Sequence, residues 1–207
     1  MPTYKLIYFN SRARGEVARL LFTLAHVEFQ DIRLEYGSEE WLKMKPTTPL
    51  GQLPILEVDG QRLIQSKAIF RYLAREFGYY GKSNWECAKI DGIMDTCEQF
   101  HTPVVPILRS EGSEKAKLLQ TYQEETLPQI LKGLESQVSD GHKYFMGEKL
   151  TVADLIAYCD IELASIVAEI PINELLHKYP KLSAIRSNVE SIDRIASWIK
   201  TRPKSFL

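Results

Sequence analysis

Cysteine is scarce in this chain. Cys87, Cys97 and Cys159 are odd in number, and no two stand at Cys-x-x-Cys spacing. That excludes a disulfide framework and a dithiol redox motif, and it points to free thiols in a reducing compartment. His26, His142 and His177 are scattered and suggest neither a metal set nor a catalytic triad. An excess of one charge is also missing. Lys plus Arg is 26 and Asp plus Glu is 27, for a net charge of -1. That balance gives no electrostatic reason to expect nucleic acid or an anionic membrane as partner. No run approaches the roughly 18 consecutive apolar residues a membrane span needs. Residues 1–9 include Lys5 and no small-residue cleavage site, so no signal peptide is expected and the expected location is cytoplasmic.

What is present is an ordinary globular composition. Hydrophobic residues make up 44% of 207, enough for one large domain or two small ones. The first eighty residues alternate strand and helix signals. Thr3 to Phe9 is short, apolar and aromatic-rich, as a buried strand is. Val17, Leu20, Leu21 and Leu24 recur at helical spacing, which predicts a helix over 16–27. A strand is expected over 29–34. Residues 36–52, with Gly37, Pro46, Pro49 and Gly51, read as a long loop with one helical turn near Trp41. Asp59-Gly60 between two apolar runs is a strong hairpin signal, because both residues tolerate positive φ. Ser66 is placed to cap a helix reaching Phe77.

Beyond residue 84 every long pattern is helical. Ile90, Ile93, Met94, Cys97 and Val104 form one stripe, distorted near Pro103 and Pro106. A second stripe runs from Leu118 to Val138, interrupted at Pro128. Thr151 with Asp154 resembles a capping box opening a helix over 152–168. Shorter helices are expected over 182–190 and 193–201. The order is strand-helix-strand, hairpin, helix, then helices alone. The fold class is an α/β thioredoxin-like N-terminal domain, with a mixed four-stranded sheet, plus an all-α C-terminal domain. The expected boundaries are 1–79 and 80–207.

Residues 1–16, MPTYKLIYFNSRARGE, resemble the opening of sigma-class cytosolic glutathione transferases. The tract LGQLPILEVDG at 50–60, the pair Gln65-Ser66, the stretch YFMGEKLTVADL and the closing WIKTRP stand in that family's order, so the resemblance covers essentially the whole chain. It implies an enzyme that activates the thiol of glutathione and adds it to a hydrophobic electrophile. Glutathione is then a co-substrate, with no tightly bound cofactor. A free thiol has a pKa near 8.5, and the thiolate is the nucleophile. A hydroxyl donating to the sulfur, with a cation nearby, favours the charged form. The resemblance assigns the hydroxyl to Tyr8 and the cation to Arg14.

The resemblance also assigns the glutathione contacts. Leu53-Pro54 matches the family's cis Xaa-Pro bond, which lets Leu53 offer its backbone to the cysteinyl residue. Gly51 and Gln52 flank that bond. Gln65 and Ser66, at a helix start, suit the γ-glutamyl carboxylate. Trp41 and Lys45, spaced i and i+4, suit the glycine end. Gln99 is expected to reach the γ-glutamyl end from the partner subunit of a homodimer. The electrophile pocket is expected to include Phe9, Ala13, Arg14, His101, Pro106, Ile156 and Leu207.

Two departures stand out. Prostaglandin D synthases of this family bind a divalent cation through aspartates on the first helix of the second domain. Here the matching segment offers Asp95, Glu98 and the neutral Gln99, so no metal is expected. Those synthases also shape their pocket with a tryptophan, where this chain has Pro106. General conjugation is the expected activity. The alternatives are a non-catalytic ligand-binding or structural relative and a glutathione-dependent peroxidase or prostaglandin isomerase.

Overall fold

The computed structural model describes residues 2–205. By internal contacts the chain separates into two compact units. One runs to Tyr79 and also takes in the segment from Arg194 onward, and the other spans Tyr80–Asp193.

The first unit opens with β1 (Tyr4–Phe9), α1 (Ala13–Ala25) and β2 (Gln30–Leu34). It continues with α2 (Glu39–Met44), β3 (Ile55–Val58), β4 (Gln61–Ile64) and α3 (Ser66–Glu76). The strands form one mixed sheet in the order β2-β1-β3-β4. β1 pairs in parallel with β2, and β3 pairs antiparallel with both β1 and β4. This is the thioredoxin-like arrangement. Asp59 and Gly60 both adopt positive φ, +48 and +81, as a tight hairpin of this pair requires. Thr3 ties the hairpin down, its N–H and hydroxyl donating to Asp59 Oδ1 at 2.8 and 3.0 Å.

One face of the sheet is covered by α1, whose Val17, Leu20, Leu21, Phe22 and Leu24 are buried. Burial of such a side chain contributes about 1.5–3 kcal/mol. The other face holds Ile7, Leu34, Trp41 and Ile55 together, with Phe9 and Leu53 packed beside them. Trp41 thereby anchors α2 to the sheet.

The second unit is all helical: α4 (Asn84–Glu98), α5 (Val104–Arg109), α6 (Gly112–Thr121), α7 (Leu127–Gln137), α8 (Val152–Val167), α9 (Ile172–Leu175) and α10 (Pro180–Glu190). Its core is α8, which is buried nearly all round. Asp154 caps that helix, accepting from the Thr151 N–H at 2.7 Å, the Thr151 hydroxyl at 3.0 Å and the Phe145 N–H at 2.9 Å.

The structure corrects several expectations. The helical turn expected near Trp41 in the 36–52 loop is a six-residue helix, capped by the Ser38 hydroxyl and followed by a short 3-10 turn over Lys45–Thr47. Ser66 is the first residue of α3 rather than its cap; Gln65 precedes it at φ +72. The first apolar stripe is cut, with α4 ending at Glu98 before Val104 opens α5. Pro128 does not break the second stripe: it lies in the first turn of α7, where a missing N–H costs little. The irregularity lies just before it, in a π-helical stretch over Tyr122–Thr126. The last helix, α11 (Asp193–Thr201), is expected with the helical domain yet belongs largely to the first unit. Arg194 donates to the Leu24 carbonyl at 2.6 Å, at the end of α1.

Candidate active site

Tyr8 lies one residue from the end of β1 and is only 6% exposed. Its hydroxyl oxygen accepts the Arg14 backbone N–H at 3.2 Å, and the Ser11 hydroxyl also bonds it. Burial holds the phenol above its usual pKa, against the lowering pull of those two bonds and of the Arg14 and Arg19 charges. The hydroxyl therefore keeps its proton at neutral pH. With its oxygen accepting the Arg14 N–H, what the hydroxyl can offer a ligand is its proton.

Close approach shapes this position. A Cβ at Gly15 would fall 3.0 Å from Tyr8 Cγ and nearer still to Cδ1. The ring occupies the space that a side chain at 15 would need.

Arg14 enters α1 one residue after Ala13, and its Nη1 approaches the Ser66 hydroxyl at 3.5 Å. The structure thus brings Tyr8, Arg14 and Ser66 together. Gln65 joins β4 to α3 with a positive φ that a glutamine holds only at a cost of about 1–3 kcal/mol. The start of α3 presents backbone N–H groups and the positive end of a helix dipole, a setting suited to an anion.

Trp41 packs edge-on to Phe9, with ring centroids 5.3 Å apart. Lys45 follows one turn later, its backbone N–H bonding the Trp41 carbonyl, and its side chain is exposed. Lys45 lies along Gly51, where an added Cβ would sit 3.4 Å from Lys45 Cε. The Leu53–Pro54 bond is cis. Gln52 is exposed and Leu53 half-buried.

The remaining expected residues fall elsewhere. Ala13 opens α1 at φ +22. Gln99, His101, Pro106 and Ile156 belong to the helical unit. Gln99 and Pro106 are exposed there and Ile156 is buried. His101 Nε2 lies 2.9 Å from Asp160 Oδ1. Leu207 lies outside the described residues. Among those residues, no group of three His, Cys, Asp or Glu side chains could hold a metal ion.

Sequence reasoning missed Arg19 and Glu16. Their side chains are 0% and 1% exposed and lie 3.3 Å apart, with the Arg19 guanidinium carbon 5.9 Å from the Tyr8 ring centroid. The only available signal was an acidic and a basic residue at i, i+3 in an otherwise apolar helix. Such a pair is more often solvated.

A thioredoxin-like domain that buries a protonated tyrosine beside an arginine and a helix start, followed by an all-helical unit, defines a class. Comparison with known proteins makes it specific. Residues 4–75 match the N-terminal domain of glutathione S-transferase, and residues 98–202 match its C-terminal domain. The chain belongs to the glutathione S-transferase family. It is 42% identical over 208 residues to the hematopoietic prostaglandin D synthase of Gallus gallus, covering 100% of both chains. It is 40% identical over 213 residues to glutathione S-transferase 1 of Ascaris suum, covering 99% of both. The solved glutathione S-transferase of Ascaris lumbricoides superposes with a TM-score of 0.89 at 38% identity, over 99% of this chain and 100% of that one.

Proposed function

We propose that this chain is a glutathione transferase in which Tyr8 and Arg14 activate the glutathione thiol for attack on hydrophobic electrophiles. The observation that carries the reading is the Tyr8 hydroxyl, buried, protonated and receiving the Arg14 N–H. Its O–H donates a hydrogen bond to the glutathione sulfur, which stabilises the thiolate over the thiol. The thiol proton leaves to solvent, and a sulfur lone pair forms the new bond to the electrophilic carbon as that carbon's leaving group departs with its bonding pair or, in an addition, as the π pair of its double bond shifts away. The Arg14 guanidinium adds positive charge on the same side.

Trp41, Lys45, Gly51, Gln52, Leu53, Pro54, Gln65 and Ser66 hold glutathione. Lys45 takes the glycine carboxylate, the Leu53 backbone pairs with the cysteinyl residue, and the start of α3 takes the γ-glutamyl carboxylate. Gln99 supplements the last of these from the partner of a homodimer. Phe9, Ala13, His101, Pro106 and Ile156 contribute to the electrophile pocket, and general conjugation in the cytoplasm is the role. Among the described residues no helix is long and apolar enough to cross a membrane.

The test is Tyr8→Phe, which removes one hydroxyl and almost no volume. The bound thiol's pKa should rise by about one to two units, and conjugation near pH 7 should fall about ten- to a hundredfold. Glutathione affinity should change little, and the rate gap should close at high pH. Unchanged thiolate absorbance with unchanged rates would mean that Tyr8 only packs.

A further inference from the structure

Arg19 is a fully buried cation on α1, and its bonds leave it one orientation. Nε donates to both Asp31 oxygens at 3.2 and 3.1 Å. Nη1 donates to the Ser11 carbonyl at 2.7 Å and to Glu16 Oε2 at 3.3 Å. Nη2 reaches the Phe9 carbonyl at 3.4 Å. Glu16 is itself fixed, its Oε1 accepting the Trp198 indole N–H at 2.9 Å and Arg202 Nη1 at 3.0 Å. Asp31 also receives Arg33 Nε at 2.7 Å.

Pairing with two carboxylates is what a buried cation needs in order to be tolerated. The two carbonyls go beyond that need. Phe9 and Ser11 belong to the turn that carries the chain from Tyr8 to Arg14, the two residues assigned to thiol activation. The guanidinium carbon also lies 5.9 Å from the Tyr8 ring centroid, within cation–π range.

We propose that Arg19 is a positioning residue for Tyr8: its planar guanidinium holds the turn after Tyr8 by two carbonyls and sets a positive charge against the phenol ring. The inference rests on the role given to Tyr8 above. The charged groups facing the phenol are Arg14 and Arg19, and both favour a stronger hydroxyl donor. The planar fork is what matters. A lysine ammonium is a point donor and cannot span Asp31, Glu16 and the turn carbonyls at once. Through Glu16, α11 belongs to the same assembly, which ties the end of the chain to the catalytic turn.

The experiment compares wild type, Tyr8→Phe, Arg19→Lys and Asp31→Asn. Thiolate absorbance of each glutathione complex is followed against pH, with kcat and KM for a chromogenic aryl halide and thermal unfolding of each protein. Arg19→Lys should raise the bound thiol's pKa and lower kcat about three- to tenfold near pH 6.5. The deficit should close at alkaline pH, and KM for glutathione should move less than about twofold. Asp31→Asn, at a partly exposed position, keeps the side chain's shape and should shift the titration the same way by less. It decides the matter if Arg19→Lys does not fold. A lowered unfolding temperature with a wild-type thiol titration in both variants, while Tyr8→Phe shifts its own, overturns the inference and leaves Tyr8's role intact. An unshifted titration in Tyr8→Phe brings both down.

Discussion

Tyr8 and Arg14 stand out in the sequence because they fall inside a recognisable string. Arg19 does not, because hydrophobic periodicity places charges on the solvent side, and only the fold reveals that this one is enclosed. Ala13 is a second position where sequence and backbone disagree. Its φ of +22 lies at the edge of the region that favours glycine. A side chain held there costs about 1–2 kcal/mol, and glycine gives back about 0.5–1 kcal/mol through the freer unfolded chain. Ala13→Gly should therefore stabilise the protein slightly, by about 0.5 kcal/mol. Urea unfolding measures this directly: the midpoint should rise with an unchanged slope. A clear drop in midpoint would show that the Ala13 methyl contributes more by packing than its backbone costs.

The elements were legible where a local chemical signal marked them. The Asp59-Gly60 hairpin and the Asp154 cap of α8 were read from two or four residues, because each device is local. The helix α2 was read only as a single turn near Trp41, and the π-helical stretch before Pro128 was not read. The pattern around Trp41 does not show that the fold buries it, and the π-helical stretch falls at Tyr122–Thr126, ahead of the proline that the pattern flagged. The α8 cap carries its own pH signature. Burial pushes the Asp154 carboxyl up to about 6, although three donors favour its charged form. The folded protein thus holds that proton more tightly than the unfolded chain does. The resulting stability is fully present below about pH 4 and is lost as pH rises through about 6. Asp154→Asn cannot titrate. Relative to it, wild type should lose on the order of 3 kcal/mol between pH 4 and 7, measured as the difference between two stability-against-pH curves. Parallel curves would mean that the carboxyl titrates at its ordinary value. Asp154→Ala removes the acceptor from two backbone N–H groups and a hydroxyl, and should cost about 2–3 kcal/mol at neutral pH.

At the scale of the whole molecule, the sequence showed the change from alternating strands and helices to helices alone. It gave no sign that α11 belongs largely with the first unit, because a contact between residues 16 and 198 leaves no trace in local periodicity. The association between copies proposed above belongs to this scale. Leu50 is 58% exposed, Val105 51% and Leu108 48%. Asp95 and Gln99 are exposed on or beside α4. A twofold pair, the commonest closed arrangement, covers such residues in both copies at once. Light scattering at micromolar concentration should give twice the chain's mass. Replacing both Val105 and Leu108, on α5, with aspartate sets like charges on the proposed surface in each copy, and should shift the mass toward one chain without lowering the helical circular dichroism. Because Gln99 is proposed to act across the pair, dissociation should also weaken glutathione binding, and Gln99→Ala should do so in a protein that remains dimeric. A wild-type protein that scatters as a single chain at these concentrations, yet binds glutathione fully, would overturn both the pairing and the role given to Gln99.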